Sequence, residues 1–86
     1  MDRVKQGKER QVPISTEWIR LDALLKLTGA AETGGEAKIL IQSGRVLVDG
    51  EICLQRGKKL RPGDTAALLE GEMSLLVTDG RGENPL

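Results

Sequence analysis

From Arg56 to Arg61 the chain sets four cations in six residues, Arg56, Lys58, Lys59 and Arg61, shortly after an Asp49-Gly50 hairpin signal. Two further cations, Lys38 and Arg45, precede them. Guanidinium and ammonium groups gathered in this way share one chemistry, the binding of anions, with phosphate the obvious candidate. The competing reading is a solvated basic loop, since most surface lysines and arginines only face water. The distribution of charge points to a partner. Residues 38–63 carry these six cations against Asp49 and Glu51, an excess of four positive charges. Residues 64–86 carry Asp64, Glu70, Glu72, Asp79 and Glu83 against Arg81, an excess of four negative ones. The formal neutrality of the chain, 13 basic against 13 acidic side chains, is an average over these two stretches.

Other chemistries lack their residues. There is no histidine and one cysteine, Cys53, so the chain offers neither an internal disulfide nor a Cys/His zinc site nor a histidine base. The carboxylates do not assemble into an acid/base pair at any readable spacing. No stretch approaches the ~20 apolar residues of a membrane span, and the N-terminus has no signal-peptide core, so a cytoplasmic setting is the expectation. Trp18 is the sole aromatic residue. It reads as a core anchor, which leaves no aromatic platform for stacking bases.

The elements that must position the cations follow from periodicity. At 86 residues the chain supports one small core. Residues 1–11 are polar and read as a flexible arm, 12–78 as the domain and 79–86 as a flexible tail. Val12, Ile14 and Trp18 alternate, predicting a short strand that starts after Pro13 and is confined by it to an edge. Leu21, Leu24, Leu25 and Thr28 mark one helical face that ends at Gly29. Thr33 and Glu36 form a T-x-x-E capping signal for a second helix, which carries Lys38 in its first turn and stops at Gly44. Ala37, Leu40 and Ile41 form its buried stripe, and Lys38, Gln42 and Arg45 an adjacent line. An anion could use the N–H groups at this helix start. Val46 and Val48, then Asp49-Gly50, then Ile52 and Leu54 predict a type I′ hairpin that contains Cys53. Pro62-Gly63 predicts a type II turn before strands at 65–69 and 73–77.

In this order and spacing, Arg20 to Asp64, RLDALLKLTGAAETGGEAKILIQSGRVLVDGEICLQRGKKLRPGD, resembles the RNA-binding domain named for small-subunit ribosomal protein S-four. It is most similar to the small stand-alone bacterial members of the YaaA/YbcJ type. The pieces that carry the resemblance are RLD, Gly-Gly-Glu-Ala-Lys, LIQSGRVLVDG and RPGD. The resemblance implies an α+β, alpha-L RNA-binding fold, with two short helices packed on a small, mostly antiparallel sheet. It also implies that structured RNA is gripped by its sugar-phosphate backbone across helix two and the adjoining loops. Arg20 matches the opening arginine of the family, Thr33 the usual serine at the start of helix two, and Lys38 a basic position one turn on; Arg45 follows Gly44. Gly34, Gln42 and Asp49 stand where the wider family often has arginine, arginine and asparagine, which lowers the charge of the helix surface.

The basic loop is expected to make up that charge, in one electropositive face with Lys38 and Arg45 and with the acidic part opposite. The expected function is non-enzymatic binding of structured RNA by a cytoplasmic monomer without cofactor, metal or membrane. Ribosomal RNA or a ribosomal particle comes first and transfer RNA second. Its expected contact residues are Arg20, Thr33, Lys38, Gln42, Arg45, Arg56, Lys58, Lys59 and Arg61. The alternative is a protein-interaction module that docks the basic loop on an acidic protein partner; an enzyme acting in trans is a further partner class.

Overall fold

Two amphipathic stripes decide the helical half of the molecule. A computed structural model describes residues 8–71 and 73–81. Helix α1 (Leu21–Thr28) buries Leu21, Leu24 and Leu25 completely and ends at Gly29, as the spacing predicts. Helix α2 (Gly34–Gln42) starts from Thr33, whose hydroxyl accepts the Glu36 N–H at 3.0 Å. Such a cap stabilises a helix by about 0.5–2 kcal/mol. The return bond of the capping box goes one residue further back than expected, because the Glu36 carboxylate accepts the Glu32 N–H at 2.6 Å. Ala37 and Ile41 are fully buried, and Leu40 packs against the core while remaining partly exposed. With Thr33 as the cap, Lys38 is the fifth helical residue and not in the first turn, so the helix dipole bears on it little.

The helices pack on a five-stranded sheet. Its strands are β1 (Lys8–Ile14), β3 (Val46–Val48), β4 (Glu51–Ile52), β6 (Thr65–Leu68) and β7 (Met73–Asp79), in the order β1-β7-β6-β3-β4. All neighbours are antiparallel except β1 and β7. A separate two-stranded ladder joins β2 (Ile19–Arg20) to β5 (Lys59–Leu60). Val12, Ile14, Val46, Val48, Leu60, Ala66, Leu75 and Val77 meet the buried helical residues in one core. This is the α+β architecture of two helices on a mostly antiparallel sheet. Its turns follow the local chemistry. Asp49 and Gly50 both have positive φ, 52° and 86°, as a type I′ turn requires. Gly63, at φ 102°, closes the Arg61–Asp64 turn through a 2.9 Å bond from the Asp64 N–H to the Arg61 carbonyl.

Several expectations are corrected. The first strand ends at Ile14 instead of starting after Pro13, and it takes in residues 8–11 of the expected arm. Only Val12 and Ile14 of β1 are buried; the polar residues are held by backbone pairing to the long strand β7, a signal that side-chain periodicity does not carry. Pro13 does lie on an edge strand, where its missing N–H costs no ladder bond. At the other end β7 extends to Asp79, and the Gly80 N–H donates to the Ile14 carbonyl at 2.8 Å, so residues 79 and 80 of the expected tail are part of the fold. Residues 1–7 of the arm and 82–86 of the tail lie outside the described residues. The return arm of the hairpin stops at Ile52, leaving Leu54 57% exposed and Cys53 attached by its N–H to the Val46 carbonyl. Trp18 is half-buried at the surface and not a core anchor.

Candidate nucleic-acid interface

The residues that follow β4 fold over the start of α1. The Leu21 N–H donates to the Lys58 carbonyl at 2.8 Å, and the Asp22 N–H to the Arg56 carbonyl at 3.0 Å. A helix start leaves its first four N–H groups without internal partners. The side chain of the N-cap residue Arg20 makes no capping bond, and the basic loop caps α1 with its own backbone. The β2–β5 ladder continues the attachment, with Arg20 opposite Lys59 and Ile19 opposite Leu60. Leu60 is fully buried and Ile19 packs on the core, which fixes the inward face of the ladder. Side chains alternate along a strand, so Arg20 and Lys59 project from the other face.

On that outer face the Lys59 Nζ lies 4.6 Å from the centre of the Trp18 ring. The Arg20 guanidinium pairs at two points with the Asp22 carboxylate, at 3.1 and 3.0 Å, while remaining about half exposed. It also lies over Gly57, where an added Cβ would stand 3.6 Å from Nη2. The backbone of Arg56 and Lys58 is thus held at the start of α1 beside Arg20 and Lys59, and Arg61 follows Leu60 in the chain. Among the described residues, no side-chain hydrogen bond or ion pair engages Arg56, Lys58, Arg61 or Lys38, all of which are exposed. Their charge is uncompensated. An open groove whose lining includes Asp49 and Glu51 as well as Ile52, Leu54, Gln55 and Lys58 borders the cluster.

The remaining candidates are not gathered there. Arg45 pairs with Glu70, and its carbonyl accepts the Leu69 N–H at 2.7 Å. It therefore sits at the Leu68 end of β6, whereas the turn after Arg61 sits at the Thr65 end, so the separation of basic and acidic faces expected from the charges fails at this point. The Thr33 hydroxyl is occupied in capping, and the Glu36 carboxylate already sits at the start of α2, which removes the open anion site expected there. Gln42 is exposed at the last position of α2. Asp49 serves the fold, accepting the Thr65 N–H at 2.9 Å.

The family model described as the S4 domain matches residues 12–76. The chain belongs to the S4 domain family. This S4 domain is 39% identical over 68 residues to "Probable ribosome maturation protein RlbA" of Bacillus subtilis strain 168, covering 79% of this chain and 94% of that protein. It is 41% identical over 49 residues to YbcJ of Escherichia coli K12, covering 57% and 70% of the two. The solution structure of E. coli YbcJ, described as revealing an alpha-L motif involved in RNA binding, matches with a TM-score of 0.58 at 31% identity, over 91% of this chain and 95% of that one.

One member of the cluster in this S4 domain escapes a linear reading, and another, Lys59, is an expected contact in an unexpected setting. Trp18 belongs to it, and Lys59 is a strand residue instead of a loop residue. The signal was present in two triplets, Trp18-Ile19-Arg20 and Lys59-Leu60-Arg61, each with an apolar residue between two outward positions.

Proposed function

We propose that this S4 domain binds structured RNA without catalysing a reaction on it, taking backbone phosphates on Arg56, Lys58, Lys59 and Arg61, with Arg20 and Lys38 as further contacts. The observation that carries the proposal is the attachment of the basic loop to α1 through the β2–β5 ladder, which fixes the backbone that carries the uncompensated cations. Rigid placement lowers the ordering cost of a phosphate contact. The names of the RlbA and YbcJ relatives support RNA as the polyanion, and RlbA favours ribosomal RNA or a ribosomal particle over transfer RNA. Phosphate contacts position a protein and carry little sequence information, so RNA shape selects the site. Arg45 and Arg20, already paired with Glu70 and Asp22, contribute less than the unpaired cations, and Thr33 and Gln42 are peripheral. A cytoplasmic monomer without a cofactor is part of the same proposal.

Crosslinking in living cells, followed by sequencing of the attached RNA, tests it. A defined ribosomal RNA segment is expected with the natural chain and is lost with Lys38→Glu/Lys59→Glu, while the melting temperature stays close to the original because both side chains are exposed. Recovery of no RNA above background, together with an acidic protein retained by the basic loop, overturns the proposal in favour of protein docking.

A further inference from the structure

The outer face of the β2–β5 ladder carries the single aromatic side chain of the protein among its cations. Ile19 and Leu60 turn inward, Arg20 and Lys59 turn outward, and the Lys59 ammonium reaches the ring of Trp18, the residue before β2. Trp18, Arg20 and Lys59 therefore lie together on the outer side of the ladder, with the indole partly exposed and Arg61 next in the chain after Leu60. The Lys59 ammonium lies over one face of the partly exposed indole at 4.6 Å, and Lys59 is itself exposed, so the group covering that face borders solvent. The stem of a lysine is long enough to leave the ring without moving the backbone.

We infer that Trp18 is a stacking site for one unpaired RNA base, taken up in exchange for the Lys59 ammonium, which passes to a phosphate beside that base. The inference rests on the RNA-binding reading and adds the class of RNA: a helix interrupted by a bulged or looped-out nucleotide. Stacking of a base on an aromatic ring outweighs an exposed cation–π contact, so the exchange runs toward the base. The displaced cation also gains a phosphate partner, which the indole does not supply. Bases within an intact A-form helix are already stacked and lie out of reach, so only an unpaired base can enter. The displaced Lys59 ammonium and Arg61, two residues on in the chain, supply the charge for the backbone beside that base, while Arg20 is already paired with Asp22.

The test uses the full chain and two synthetic RNA hairpins, one with a bulged adenosine and the other with the bulge closed. Trp18 is the only fluorophore of its kind, with no tyrosine or phenylalanine present, so its emission reports the site directly. The bulged hairpin is expected to quench that emission and to bind about tenfold more tightly than the closed one. Trp18→Leu should erase the difference while leaving the salt dependence of binding unchanged, and Trp18→Phe should retain part of it. Lys59→Gln should reduce the salt slope by about 0.7–0.9 and keep the preference for the bulge. Equal binding of both hairpins without quenching overturns the inference and leaves the RNA-binding reading intact. Binding of neither hairpin, with a polyglutamate peptide bound instead, overturns both. Should Trp18→Leu fail to fold, the quenching and the two affinities of the natural chain decide by themselves.

Discussion

Replacing Leu60 by alanine separates the attachment of the basic loop from its charge. Leu60 is fully buried and is the one core side chain supplied by β5. Removing its three outer carbons forfeits about 2.4 kcal/mol of transfer free energy at ~0.8 per methylene. The cavity left behind raises the cost of Leu→Ala substitutions toward 5 kcal/mol where the surroundings stay rigid. Here the ladder has only two residue pairs and borders an exposed loop, so partial collapse holds the cost to about 2–3 kcal/mol. A domain of this size loses about 4–8 °C in melting temperature per kcal/mol, which gives a fall of roughly 8–24 °C. Urea unfolding measures the loss, and amide exchange locates it. The Leu21 and Asp22 amides, which donate to the Lys58 and Arg56 carbonyls, should lose protection before the Ile41 amide does. A loss below about 1 kcal/mol, with Leu21 and Asp22 as protected as before, would refute the claim that Leu60 pins the loop to α1.

Two further outcomes concern the β1–β7 side of the five-stranded sheet. A Cβ on Gly80 would stand 2.7 Å from the Pro13 Cβ and 3.3 Å from the Ile14 carbonyl oxygen, and the proline ring cannot rotate away. Gly80→Ala should therefore destabilise the fold by about 1–3 kcal/mol by urea unfolding, whereas a loose tail would tolerate it. At Asp79, hydrogen bonds from the side chain and backbone of Arg81 hold the carboxyl below its ordinary 3.8. A depressed value means that the stabilisation is present above the unfolded pKa and is lost as pH falls through the folded one. In an NMR titration Arg81→Ala should move the Asp79 midpoint up toward 3.8; an unmoved midpoint counts against the pairing.

Elements governed by local chemistry were legible in the sequence. The leucine spacing of α1, the Thr33 cap of α2, the Asp49-Gly50 turn and the Pro62-Gly63 turn each depend on a few adjacent residues, and each is where its pattern places it. Elements that depend on distant partners were not. β2 and β5 have two residues each, too few to show a period, and exist because Ile19 and Leu60 share the core. The polar half of β1 follows β7, and β7 extends because β1 covers it. The same distinction governs the candidate site. Four cations in six residues are visible in one line of sequence, but the partners of Arg20, Lys59 and Arg45, namely Asp22, Trp18 and Glu70, are chosen by the fold. Trp18 looked like core material because an aromatic residue amid short apolar alternation is ordinarily buried; the bend at 15–17 and the ladder after it turn the indole outward.

The most direct test of the central claim is the salt dependence of RNA binding by the natural chain and by Arg56→Gln/Lys58→Gln/Arg61→Gln. Neutralisation of about four to six phosphates predicts a log-log slope of roughly −3 to −5, and the variant should lose about 2–3 of it while unfolding at the same urea concentration. A slope near zero, or one that the triple substitution leaves unchanged, would contradict the basic loop as the phosphate-binding surface.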